Sequence, residues 1–110
     1  MITEIIKHKK DIVQDGVLKR KAHGYLFVKV GIGWIPEHVL VMEEKIRRTL
    51  NKGETIHHIN GIKTDNRIEN LMLFKSQKEH AKFHNKIRQF GMTQPIIKQI
   101  NERFKEYERD

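Results

Sequence analysis

Apolar positions recur along this chain with two periods, and the switches between them mark out its elements. From His23 to Ile32 the side chains alternate, Leu26, Val28 and Val30 against Tyr25, Phe27 and Lys29. A period of two predicts a strand with one buried face. Ile12-Val13 and Val17-Leu18 flank Asp15-Gly16, a strong hairpin signal. Residues 1–33 therefore read as a small antiparallel sheet. Beyond it the spacing lengthens: Val39, Met42, Ile46 and Leu50 recur at helical intervals and make a core stripe. Pro36 suits the first turn of that helix, Glu37 suits the positive end of its dipole, and Asn51-Lys52-Gly53 ends it. Trp34 and Ile35, just ahead, read as a packing anchor.

Thr55 to Ile59 returns to an extended pattern, with β-branched Thr55, Ile56 and Ile59, and Asn60-Gly61 turns the chain. Lys63 to Asn70 is too rich in Asp and Asn for a buried element, so it reads as an ordered loop with one helical turn. Leu71 to Phe74 forms the second strand. Ser76 with Glu79 makes a capping box, so a helix begins at Gln77. Ala81, Phe83, Ile87 and Phe90 give that helix its apolar side, and Gly91 ends it. Thr93 and Pro95 open a last helix whose stripe is Ile96, Ile97, Ile100, Phe104 and Tyr107. Its other face carries Lys98, Arg103, Lys105 and Arg109, for which solvation and DNA contact stand level. The expected fold is α+β: a sheet and helix over 1–53, a hairpin plus helix over 54–90, and a C-terminal helix over 92–110, all in one domain.

Composition narrows the partners. The chain has 110 residues, one domain's worth, with 22 Lys plus Arg against 14 Asp plus Glu and a formal net charge of +8. A pI near 9.8 in so short a chain favours a polyanion, and nucleic acid is the commonest one. The apolar patch Ile2–Ile6 leads into Lys7-His8-Lys9-Lys10, and Lys19-Arg20-Lys21 adds a second basic cluster. Both clusters are plausible phosphate contacts on what is otherwise scaffold. Cysteine is absent, so any metal must be held by His, Asn, Asp or Glu. No apolar run approaches the roughly 18 residues of a membrane span and no signal-peptide pattern opens the chain, so a soluble, cytoplasmic protein is expected.

The chemistry concentrates between Asn51 and Asn85. His57 and His58 adjoin on a strand and so point to opposite faces. They cannot both ligate one ion there, and they suit two different jobs. His80 and His84 stand one helical turn apart and can bite one metal together. If their helix crosses the hairpin, His57 completes a three-histidine centre with positions left open, the pattern of a catalytic site. His58, facing the other way, is then free to act as a general base, for which imidazole, with an ordinary pKa of about 6.5, is well matched. A loop asparagine is a natural clamp for the base or its loop, and Asn70 is the best placed. His8, His23 and His38 read as ordinary structural histidines.

These residues carry a resemblance. His57-His58, Asn70, and His80 with His84 resemble the HNH nucleases of the ββα-metal (His-Me finger) class. The run from His57 to Leu71 is very similar to the core of small phage and mobile-element HNH endonucleases. Glu37 to Glu43 and the Gly24-Tyr25 strand are similar to their upstream part, so the likeness spans roughly residues 23–85. It implies a ββα-metal core over 54–90. It implies His58 as the histidine that activates water, His57 as first metal ligand, Asn70 as the residue orienting the base and its loop, His80 as the helix ligand, and His84 as a third ligand. Asn66 reads mainly as a turn-stabilising residue. Lys63, Arg67 and Arg88 are the DNA-contact candidates.

The same resemblance implies hydrolysis of DNA phosphodiesters, by nicking or double-strand cleavage, with one divalent cation. Mg²⁺ or Mn²⁺ is the expected working ion; histidine-rich ligation also lets Zn²⁺ or Ni²⁺ bind tightly. The expected partners are DNA and, for a phage-encoded protein acting in its host cell, the terminase packaging machinery. Two other functions compete: a non-catalytic nucleic-acid-binding module with a zinc-stabilised ββα scaffold, and an RNase. An intact His58 favours the nuclease over the scaffold, which needs no unliganded base.

Overall fold

The computed structural model describes residues 11–107. It is an α+β fold: a four-stranded antiparallel sheet, a helix, a two-stranded hairpin and two further helices. The strands of the first sheet are β1 (Asp11–Gln14), β2 (Val17–Ala22), β3 (Tyr25–Val30) and β4 (Gly33–Pro36), paired in that order. Asp15 and Gly16 both take positive φ, 52° and 76°, as a two-residue hairpin turn requires. His23 and Gly24 do the same, at 54° and 85°. Hence β3 begins at Tyr25, two residues later than the alternation suggested, because His23 belongs to a turn. The patch Ile2–Ile6 and the cluster Lys7–Lys10 lie outside the described residues, as does Arg109.

Helix α1 (Glu37–Ile46) follows directly. Pro36, expected inside its first turn, is instead the last residue of β4, opposite Phe27. β4 ends its sheet in the strand order, and proline's missing N–H is tolerated on an edge strand. The helix also stops earlier than Asn51–Gly53. Arg47 is left-handed at φ 59°, and the Glu43 carboxylate accepts from the Leu50 N–H at 2.7 Å, drawing the chain into a bend. Leu50 still packs on the core formed by Met42, Leu71, Leu73 and Tyr107.

The hairpin β5 (Thr55–His58) and β6 (Leu71–Phe74) is antiparallel, with His57 opposite Met72 and His58 opposite Leu71. All four β6 residues are buried, because both faces of the hairpin are covered. Helix α2 (Gln77–Phe90) starts at Ser76, whose Oγ accepts from the Glu79 N–H at 3.2 Å. Phe83 is buried and Ile87 packs on the same cluster, but Ala81 and Phe90 are exposed, Phe90 at 69%. A 14-residue helix runs about 21 Å while a four-residue strand spans about 13 Å, so the end of α2 overhangs the hairpin.

Helix α3 (Gln94–Tyr107) buries Ile96, Ile100 and Tyr107. Its main contribution is to the outer edge of β6. The Leu73 N–H donates to the Tyr107 hydroxyl at 2.7 Å, that hydroxyl donates to the Leu71 carbonyl at 3.4 Å, and the Arg103 guanidinium donates to the Leu73 carbonyl. A strand edge normally seeks another strand; here two side chains stand in for one. Arg103, which sequence left between solvent and DNA, is therefore a packing residue that also lies over Phe74 at 5.3 Å. Burial beside the backbone pushes the Tyr107 hydroxyl up to about 12, so it stays protonated and able to donate. Tyr107→Phe leaves the Leu73 N–H without its acceptor and should lower unfolding free energy by about 1–3 kcal/mol. Urea denaturation followed by circular dichroism checks this, with an unchanged midpoint as the contrary result.

Candidate metal centre

His57 projects from β5 toward α2, where helical spacing places His80 and His84 on one side. The three rings converge: His57 Nδ1 lies 3.1 Å from His80 Nε2 and 2.9 Å from His84 Nε2. One ligand atom from each lies within 4.8 Å of the others. His57 is buried, His80 half-buried and His84 exposed, so the group opens outward from the strand. His57 is wedged edge-on against Phe83 and Phe74, and His80 stacks on Phe74.

Two observations test whether a cation fits. Metal–nitrogen bonds of about 2.0–2.1 Å place neighbouring ligand atoms roughly 3 Å apart, the spacing of His57 Nδ1 from the nitrogens of His80 and His84. The protons are also arranged for it. Thr55 Oγ1 lies 3.1 Å from His80 Nδ1; a proton held on that nitrogen leaves Nε2 with a lone pair aimed at the group. His57 Nε2 is buried without a hydrogen-bond partner among the described residues, while its Nδ1 faces the other two rings. Burial first, then the neighbouring histidines, pushes the His57 ring down to about 4, and burial also lowers His80. Neutral imidazoles are the form that ligates metal. The three residues therefore fit a divalent cation, and the donor set alone does not choose which.

His58 points to the other side of β5 and touches none of these ligands. It lies near α1, its ring 5.2 Å from His38 and 6.3 Å from Tyr25. Its Nε2 is 2.7 Å from Asn66 Oδ1, and Asn66 Nδ2 donates to Glu37 Oε1 at 2.9 Å. Asn70 does something else. Its Oδ1 accepts from the Asn60 N–H at 2.9 Å, and its Nδ2 donates to Asn60 Oδ1 and the Asp65 carbonyl. Asn70 thus holds the loop between the strands, while the contact to the His58 ring comes from Asn66, which had looked like a turn residue. No sequence signal links Asn66 to Glu37, which stand 29 positions apart. His38 is less ordinary than expected: it is half-buried, its Nδ1 has no hydrogen-bond partner among the described residues, and burial followed by His58 pushes it down to about 4.

The DNA-contact candidates are dispersed. Lys63 reaches back over the Tyr25 ring at 4.9 Å, on the His58 side. Arg67 is forked onto Asp65, both bonds 2.8 Å, and this contact holds the Asp65 carboxyl well below its usual range. Arg88 is exposed one turn beyond His84 on the same side of α2. Among the described residues no helix is long and apolar enough to cross a membrane.

A β-hairpin is crossed by a helix, with three convergent histidines between them that could hold a metal ion and a further histidine behind the strand. Residues 37–81 match the family model of the HNH endonucleases. No curated protein and no solved structure matches the chain. His84 and the sheet lie outside the matched segment.

The geometry predicts one divalent ion per chain. Isothermal titration with Zn²⁺ or Mn²⁺ should give a stoichiometry of one, lost in His57→Ala. Thr55→Val, which removes the partner of His80 Nδ1, should weaken binding by about 10–100-fold. An unaltered affinity in that variant would count against the assigned role of Thr55.

Proposed function

We propose that this chain is a metal-dependent DNA endonuclease in which His57, His80 and His84 hold one divalent cation and His58 is the general base. The observation that carries this reading is the division of His57 and His58 across β5, one ring among the convergent histidines and the other outside them. A scaffold needs the first; only a catalyst has use for the second. The net charge of +8 favours a polyanionic substrate, and the match of residues 37–81 to the HNH endonuclease model favours phosphodiester cleavage.

In this reading His58 takes a proton from the attacking water, and Asn70 fixes the loop that carries the strand's far end. A cation bound by the three histidines supplies Lewis-acid stabilisation of charge developing on the phosphate oxygens. Lys63, Arg67 and Arg88 contact the DNA backbone, with Arg67 exchanging its Asp65 partner for a phosphate. Mg²⁺ or Mn²⁺ is the working ion.

A supercoiled plasmid assay tests the proposal. The wild-type chain should relax or linearise plasmid with Mg²⁺ or Mn²⁺ and stop on EDTA addition. His58→Ala should lose about 10²–10⁴-fold in rate while binding metal and DNA as before. DNA binding without cleavage under any divalent ion would replace the enzyme with a binding module. Loss of metal in His58→Ala would instead mean that His57 and His58 had exchanged roles.

A further inference from the structure

The hydrogen bonds behind His58 run in one direction only, and that direction selects which ring nitrogen is the base. Glu37 begins the chain. Lys19 Nζ sits 2.5 Å from Glu37 Oε2, and the other carboxylate oxygen accepts from Asn66 Nδ2 at 2.9 Å. An ionised carboxylate can only accept, so the NH₂ end of the Asn66 amide must face it. The amide oxygen therefore faces His58, and it too can only accept, so His58 Nε2 must carry the proton in their 2.7 Å bond. Asn66 is only 8% exposed, and neither end of its amide is free to turn toward water. We propose that Asn66 and Glu37 are positioning residues that hold His58 in its Nε2–H tautomer and leave Nδ1 as the nitrogen that takes the proton from water.

Three features support the assignment. Glu37 stays ionised: burial raises its pKa, but the hydrogen bonds from Lys19 and Asn66 more than offset this and leave it lowered. Lys19 and Glu37 come from different elements, β2 and α1, so the pair ties the sheet to the base as well as charging the chain. The His58 ring also meets His38 edge-on at 5.2 Å on the α1 side, which limits its rotation. Freed of Asn66, a neutral imidazole keeps only its modest intrinsic preference for Nε2–H, and the minor Nδ1–H tautomer presents a donor where the base must present a lone pair.

The inference rests on the nuclease reading for its catalytic meaning, but its tautomer can be measured alone. The ¹⁵N shifts and two-bond couplings of the His58 ring, in the full chain with Mg²⁺, should report the Nε2–H form. Asn66→Ala should give a mixture of tautomers and lower kcat by about 10–100-fold, with KM for plasmid and metal affinity within about threefold. Glu37→Leu should do the same through Asn66, and Glu37→Gln, which can still accept from Nδ2, should recover most of the loss. Should Asn66→Ala fail to fold, Glu37→Leu decides on the same readouts. The proposal is overturned if wild-type His58 is in the Nδ1–H form, or if neither variant shifts the tautomer. It is equally overturned if kcat falls only in step with metal affinity. A wild-type chain that shows the expected tautomer and its loss in Asn66→Ala, yet cleaves nothing, overturns the nuclease reading and leaves the positioning chain standing.

Discussion

The site depends on one geometric constraint: successive side chains of β5 leave it on opposite faces. His57 and His58 are chemically identical, and only the pleat makes one a partner of α2 and the other a neighbour of α1. A slip of one residue against β6 would exchange them and present the wrong ring to each side. Register in a two-stranded hairpin is weakly held by its own hydrogen bonds, so the fold must fix it by other means. Leu71 and Met72 provide one, each completely buried and facing a different apolar cluster. Shifting β6 would place each residue in the packing of the other.

The loop end and the outer edge of the hairpin are also held. Asn70 and Asn60 exchange hydrogen bonds across the connecting loop, next to the Ile59 N–H bond to the Asn70 carbonyl at 2.9 Å. Tyr107 and Arg103 occupy the edge of β6 that a third strand would otherwise cover. The last helix thus supports the histidine group from behind, through the edge of β6 and the cluster it shares with Phe74 and Phe83. Its basic face had suggested DNA, yet its best-placed cation serves the backbone of the strand opposite His57.

How far the sequence disclosed this follows from the range of each interaction. Periodicity, turn residues and the capping box are local, so the hairpin, α2 and the pairing of His80 with His84 were legible. The opposite faces of a strand then separate His57 from His58 on sequence alone. What stayed hidden were contacts between elements far apart in the chain. Asn66 and Asn70 have the same side chain and lie four residues apart, and nothing local says which reaches the His58 ring. Glu37 was read through its helix dipole, a true but minor part of its setting; its partners on β2 and in the loop required the fold. His23-Gly24 was missed for a different reason. Its turn interrupts an alternation that continues in register on the next strand, so the period alone cannot mark the break.

The segment matching the HNH endonucleases ends at residue 81, three positions before His84, and this bears on what His84 contributes. Its Nε2 is nonetheless nearer to His57 Nδ1 than His80 Nε2 is, at 2.9 against 3.1 Å. The three rings differ in how firmly they are held. His57 is buried between Phe74 and Phe83, and His80 is stacked on Phe74 and oriented by Thr55, but His84 is exposed and touches mainly the other two rings. A ligand fixed only by its co-ligands adds affinity without dictating geometry. In the proposed centre His57 and His80 would therefore set where a cation is held, and His84, placed by its helical turn, would close the solvent side of the group.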